Sequence, residues 1–485
     1  MMQNSCDVLV TNAAAVIPRS GILQTNIMIE SGKIKTLTKS IDNIHASKII
    51  NANGKYVLPG LIDPHTHYGV YTPINEAAKT ESRSAAVGGV TTMIRMLRMN
   101  ESYQKNIGKH LEASKHHHHI DYSIHASILT PEQIKDIPYL KKIGINSFKI
   151  YMNLGADLNH IFLDLEPGTY NIREAEVNMT YELMSSTIEE ASKVHYSPVL
   201  VHAEDPAVCA NLIERERERE RQTKGAMMIP VNSSNLKTWS DCRPSSSEAE
   251  SIRKIAIIGR KYGSNLYFVH IGSTAALDAI LSEKEKGNSN LYIETCPHYL
   301  THTTEFEKLT GKVVPPIRSK SDVQSMWSAL RNGIIDTIGT DHVANRLSMK
   351  MGNGDIWSAL AGFPGIATML PVLLSKGVNE NRINMEQIAE ITSYNASRIF
   401  GMYPKKGTIL QESDADLTIV DLDLEQKVTP DLLQSYSDYT IYDGWTLRGW
   451  PILTMVRGEV IMENGEVDSK SQGHGKFVSR PVTLN

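Results

Sequence analysis

The chain is poor in cysteine: Cys6, Cys209, Cys242 and Cys296 lie far apart, with no C-x-x-C pair. Thiols so scattered build neither a disulfide framework nor a cysteine-type zinc site, so all four read as reduced, with Cys296 in the core. Long apolar runs are also missing. No stretch approaches the roughly 18 residues of a membrane span, and the opening MMQNSCDVLVTNAAAVIP lacks a basic segment followed by an apolar run and a small-residue cleavage site. A cytoplasmic protein is expected. No basic run covers a face, and 50 Lys+Arg against 54 Asp+Glu leave a net charge of −4. That balance disfavours nucleic acid and anionic membranes as partners and leaves small molecules.

What is present is a long chain with two textures. Its 485 residues suit one large catalytic domain and a smaller accessory one. Residues 1–57 alternate short β-like runs with Gly and Asn turns, and 406–465 return to that pattern in ADLTIVDLD and PILTMVRGEVIMENGEV. A small β-sandwich built from both termini is expected. Between them, 58–405 alternates strand-like runs with helical patterns, the mark of a parallel α/β sheet. The runs VLPGLIDPH, TTMIRM, DYSIHASI, NSFKIYM, PVLVHAE, LYFVHIG, LYIETC and IDTIGTDH make eight strands, hence a (β/α)8 TIM barrel. The helix in TPEQIKDIPYLKKIG has Thr130 as N-cap, Pro131 at its first position and Gly144 as terminator. Residues 466–485 form a tail, expected to make a subunit contact in a homo-oligomer, a dimer or tetramer.

Active sites of such barrels lie at the C-terminal ends of the strands. There this sequence places His65, His67, His202, His270 and Asp341, with Lys149 inside strand 4. His65 and His67 are two apart, so both side chains point into the barrel mouth as a shared metal requires. Four histidines and an aspartate exceed the needs of one tetrahedral ion and suit two, about 3.5–4 Å apart. Lys149 would repel two dications as an ammonium, but a neutral amine adds CO2 to give a carbamate whose oxygens can bridge them. A buried lysine among Phe148, Ile150, Tyr151 and Met152 is then a lysine that is no longer a cation.

The motifs GLIDPHTH, SFKIYM, VHAED, VHIGST, ETCPHYL, PPIRSKSD, GTDH and DADLTIVD together resemble the cyclic amidohydrolases: hydantoinases, dihydropyrimidinases, allantoinases and dihydroorotases. The resemblance covers most of the chain in the family's order. It implies a barrel with a flanking β-sandwich and a binuclear zinc centre bridged by N6-carboxylated Lys149. One ion would be held by His65, His67 and Asp341, the other by His202 and His270. The reaction implied is hydrolysis of the ring amide of a cyclic amide, ureide or imide by attack of a metal-bridging hydroxide, with Asp341 taking the proton and returning it to the leaving nitrogen.

Ring preference is less marked. Related dihydroorotases carry an arginine where this chain has Gly69, which disfavours dihydroorotate. Related hydantoinases carry an oxyanion-binding tyrosine where this chain has Leu154. The segment after Lys149 is expected to form a lid in which Leu154, Ile161 and Phe162 line the pocket, with Tyr151 or Tyr170 as the replacement donor. Val314 and Ala361 fall where relatives hold ring amides through the main chain. Hydantoinase or dihydropyrimidinase activity is therefore the first reading, allantoinase the second, and a ligand-free scaffold of the same fold the rival from another class. HHHH at 116–119 is expected to be a solvated helix end, ERERERER at 214–221 a helix flanked by solvent or a partner subunit, and His125 a satisfied core residue.

Overall fold

The computed structural model describes residues 5–152, 160–193, 197–226, 235–287 and 290–480. Eight parallel barrel strands follow one another in chain order: β1 Leu61–His67, β2 Val90–Leu97, β3 Asp121–Ser127, β4 Phe148–Tyr151, β5 Val199–His202, β6 Leu266–Phe268, β7 Leu291–Thr295 and β8 Thr337–Ile338. Helices cover their outer face, which is why these strands are apolar runs rather than alternating ones. The last strand is split. Thr337–Ile338 pairs with β7, the chain breaks over 339–341, and His342–Val343 then pairs with Thr66–His67 of β1 to close the barrel. The expected eight-unit barrel is therefore present, with its eighth strand in two pieces. The Pro131–Lys142 helix begins as read from sequence: Gln133 Oε1 accepts the N–H groups of Leu129 (2.7 Å) and Thr130 (3.2 Å), and Gly144 lies at φ +86°.

Both ends of the chain share one nine-stranded sheet. Its junction is Tyr56–Pro59, which pairs in parallel with Ser5–Ile17 and antiparallel with Leu417–Lys427. Val10, Ala15, Ile27, Val57, Leu417 and Met455 bury a common apolar cluster drawn from both ends. The single run VLPGLIDPH thus divides between two sheets at Gly60. A Cβ there would lie 2.2 Å from Thr91 Oγ1, so only glycine lets the chain pass this close to β2.

A buried ionic cluster ties the sheet to the barrel. Lys406 Nζ lies 2.7 Å from Asp121 at the start of β3, 3.0 Å from Asp414 and 2.6 Å from Asp416, and Arg457 also pairs with Asp121. Residues 476–480 extend β3 from outside: Phe477 bridges Tyr122, Val478 N–H donates to Tyr122 O at 2.7 Å, and Arg480, fully buried, donates to Ser147 Oγ at 2.8 Å.

Two sequence expectations need correction. His118 and His119 are buried, not solvated: His118 stacks on Tyr122 at 3.8 Å and faces Tyr68 Oη, and His119 Nδ1 lies 2.7 Å from Ser471 Oγ. Four consecutive histidines cannot share one exposed face, and burial keeps these two neutral by lowering their pKa values to about 3 and about 4. The acidic-basic helix, Pro206–Ala226, is not flanked by solvent alone. Glu220 accepts the indole N–H of Trp357 at 2.9 Å, and Arg217 sits 5.3 Å from the same ring. His125 is a core residue as expected, with Ser147 Oγ at 2.5 Å and Pro64 O at 2.9 Å.

Replacing Lys406 with methionine would leave Asp121, Asp414 and Asp416 buried without their shared cation. Urea denaturation should show a loss of about 3–5 kcal/mol. A loss under about 1 kcal/mol, the range of an exposed pair, would show that the cluster does not hold the two sheets together.

Candidate metal centre

The strand ends bring the expected residues together. His65 and His67, both directed inward from β1, place their Nε2 atoms 3.3 and 3.1 Å from Asp341 Oδ1. His202, at the end of β5, has its Nδ1 3.0 Å from His270 Nε2, and the His65 and His270 rings are 5.5 Å apart. Lys149 lies on β4 between Ser127 and Leu200 of the neighbouring strands, with its side chain fully buried. His270 and Asp341 both stand just past a strand in left-handed backbone, at φ 46° and 51°. Such residues cost about 1–3 kcal/mol each and persist where the surroundings fix them.

In His65 and His202 the ring nitrogen facing away from the cluster is held by a carboxylate. His65 Nδ1 lies 2.7 Å from Glu294 Oε1, and Glu294 also accepts Tyr267 Oη–H at 2.8 Å and His270 N–H at 3.0 Å. His202 Nε2 lies 2.8 Å from Glu204, which pairs with buried Arg243 at 2.7 Å. Burial raises the Glu204 carboxyl, but the Arg243 charge and the His202 bond overcome it and hold it at about 2. At His65 and His202 these contacts occupy the outer ring nitrogen and leave the inner one for a ligand. Burial also lowers the imidazoles, His65 to about 3, so they are neutral, the state in which histidine binds metal.

Asp63 fixes the two sides of the split barrel. Its Oδ1 accepts the N–H groups of His65 and Thr340, each at 3.1 Å, and its Oδ2 accepts the Thr340 hydroxyl. One carboxylate therefore sets both β1, which carries the histidines, and the break that carries Asp341. Next to it, His342 Nε2 lies 2.9 Å from buried Glu81.

The donor set fits divalent cations. His65, His67 and Asp341 converge to ligand distances of one another, and His67 Nδ1, His270 Nδ1 and Lys149 Nζ are buried with no hydrogen-bond partner among the described residues. Burial lowers Lys149 to about 7 against the opposing pull of Glu294 and Asp341, which makes a large share of it the free amine at neutral pH. The second triad of acids, Asp121, Asp414 and Asp416, does not fit an ion because Lys406 already occupies its centre.

Above the cluster is a cavity of about 200 Å³ lined by its histidines, Lys149 and Asp341, by apolar residues including Ile161, Phe162, Val313 and Trp357, and by Arg98. Tyr151, Val314 and Ala361 are also among the lining residues. Ile161 and Phe162 belong to a two-stranded ribbon, His160–Leu163 with Arg173–Glu176, which covers one side. Leu154 lies outside the described residues. Tyr170 is not brought to the site: it is 68% exposed and its hydroxyl donates to Glu76. The ribbon returns to the barrel before reaching it, through Leu165 N–H to Gly69 O at 2.8 Å, and position 170 falls on the outer turn.

Comparison with known proteins matches residues 56–461 to the amidohydrolase family. The chain belongs to that family. It is 30% identical to an L-hydantoinase of Paenarthrobacter aurescens, over 98% of each chain, and 28% identical to a D-hydantoinase of Ralstonia pickettii, over 98% of this chain and 99% of that one. A solved dihydropyrimidinase from Brevibacillus agri superposes with a TM-score of 0.84 at 26% identity, covering 98% of this chain and 99% of the other.

In this amidohydrolase the supporting acids Glu294 and Glu204 were passed over in the sequence, although both sit in motifs read for other residues, LYIETC and VHAED. Removing such a partner lowers metal affinity about 10- to 100-fold. Glu294→Leu should show that loss in chelator competition, while Glu294→Gln, which keeps an acceptor for His65, should lose less. Equal metal affinity in both variants and the parent would remove Glu294 from the centre.

Proposed function

We propose that this metal-dependent amidohydrolase opens the ring amide of a hydantoin- or dihydropyrimidine-type cyclic ureide, with two divalent ions that its histidines, Asp341 and Lys149 as the carbamate would hold. The observation that carries the reading is the Lys149 amine: fully buried among four histidines and Asp341, 5.2 Å from the Tyr151 ring, with no hydrogen-bond partner among the described residues and lowered to about 7 by burial. His65, His67 and Asp341 would hold one ion and His202 and His270 the other. The mixed imidazole and carboxylate set suits Zn2+. Bound there, the ions supply a deprotonated water near neutral pH and polarise the ring carbonyl.

The chain's own residues do the rest. Asp341 is the carboxylate at the cavity floor; Oδ1 faces both β1 histidines, and the group takes the attacking water's proton and returns it to the leaving nitrogen. Tyr151 Oη is buried at the cavity with no hydrogen-bond partner among the described residues, which suits the donor role that Leu154 cannot fill. The backbone at Val314 and Ala361 borders the cavity where a planar ureide needs main-chain partners. The ribbon and Trp357 shield the ring from bulk water. We further propose a cytoplasmic homo-oligomer.

Turnover of hydantoin, dihydrouracil, allantoin and dihydroorotate by zinc-loaded, bicarbonate-treated protein tests the reading. Hydantoin or dihydrouracil should have the highest kcat/KM, and activity should vanish with a chelator and return with divalent ions. Preference for allantoin or dihydroorotate would overturn the ring assignment, and turnover of none would overturn the activity. Asp341→Asn should lower kcat about 10²- to 10⁴-fold if the group moves the proton; Tyr151→Phe should lower kcat about 10²-fold or more as the oxyanion donor, and an unchanged kcat would exclude it.

A further inference from the structure

Arg98 is a cation that the reaction as derived does not use. It stands one residue past the end of β2 and lines the cavity together with the metal-ligating residues. Arg95, three residues earlier on β2, is engaged: buried, 3.6 Å from Asp164 and 5.4 Å from the Tyr68 ring. Arg98 differs. Its backbone N–H donates to Asp164 Oδ1 at 3.3 Å, but its guanidinium has neither an ion pair within 4 Å nor a hydrogen bond to any described residue, and its Nε is buried without a partner. Asp164 thus pairs with the Arg95 guanidinium and accepts only the backbone N–H of Arg98, whose own charge lines the cavity with no ion pair among the described residues.

That charge acts on the site. Arg98 is the strongest charged influence on the Tyr71 and Tyr151 hydroxyls and on the His67 imidazole. Tyr71, which packs on Phe162 with ring centres 5.6 Å apart, lines the same cavity as Arg98 and the ligand cluster. A guanidinium presents five donors in a fixed fork, and leaving them unmade in a partly desolvated wall is costly unless an anion enters. A carboxylate matches the fork with two parallel bonds. The acid in reach on the ribbon, Glu174, is turned to His160 at 3.6 Å.

We propose that Arg98 selects cyclic ureides whose ring substituent ends in a carboxylate. This rests on the ring-opening reading above and narrows its substrate class. The reacting amide lies over the histidines and Lys149, the substituent runs along Tyr71 and Phe162, and its carboxylate meets the Arg98 fork.

The test compares 5-(2-carboxyethyl)hydantoin with its carboxamide, which has the same shape without the charge. The zinc-loaded protein should favour the acid by about 10- to 100-fold in kcat/KM, the size of a charge-assisted pair. In Arg98→Gln the acid-to-amide ratio should fall to about one, and Arg98→Lys should keep part of it. A parent ratio near one, or a ratio unchanged in an Arg98→Gln protein of parental melting temperature, would overturn the proposal. If neither compound is hydrolysed, the ring-opening reading has failed. Calorimetric Kd values for the same two compounds against parent and Arg98→Gln then decide the selectivity alone, with the same ratios expected and the same outcomes fatal.

Discussion

The site depends on one electrostatic constraint: an amine is buried in the middle of a barrel beside four imidazoles, with no hydrogen-bond partner among the described residues. An ammonium there would lose its hydration and gain only the remote charges of Glu294 and Asp341. The surroundings push it toward the neutral form, and the same burial makes the histidines neutral donors. A core made of lone pairs with few protons has one natural complement, positive charge brought in as metal. Each buried group then has a role that no apolar substitute could take.

The rest of the architecture serves that cluster by fixing directions. Glu294 and Glu204 set which nitrogen of His65 and His202 faces inward, and Arg243 keeps Glu204 ionised at the base of the chain of contacts. Asp63 reaches across the split eighth strand so that β1 and the loop carrying Asp341 share one acceptor. The split itself follows from the left-handed backbone at Asp341, which turns the carboxylate into the mouth at the cost of ladder bonds. Further out, the Lys406 cluster and the inserted tail at Arg480 lock β3 from below, under the strand that pairs with Lys149.

Much of this was legible in the residues. Side-chain alternation placed His65 and His67 on one side of a strand, and counting strand-like runs placed His202, His270 and Asp341 at the same face. The two β-textured ends pointed to one β-sandwich built from both termini, and the structure joins them in a single nine-stranded sheet. What the residues did not disclose were long-range partners. Glu294 and Glu204 look like any acid in a strand until the fold sets a ring nitrogen 2.7 or 2.8 Å away. Arg98 and Trp357 lie on different segments and meet only across the cavity. Local composition misled where burial is decided by tertiary contacts: two of four consecutive histidines pack inside, and the charged helix grips an indole. Tyr170 was placed by chain distance from Lys149, whereas the ribbon turns it to the surface.

The most direct test is the electron density at Lys149 in crystals of zinc-loaded, bicarbonate-equilibrated protein. The account predicts planar density extending beyond Nζ with one oxygen on each of two ions. A side chain ending in a bare nitrogen while both ions are bound would contradict it.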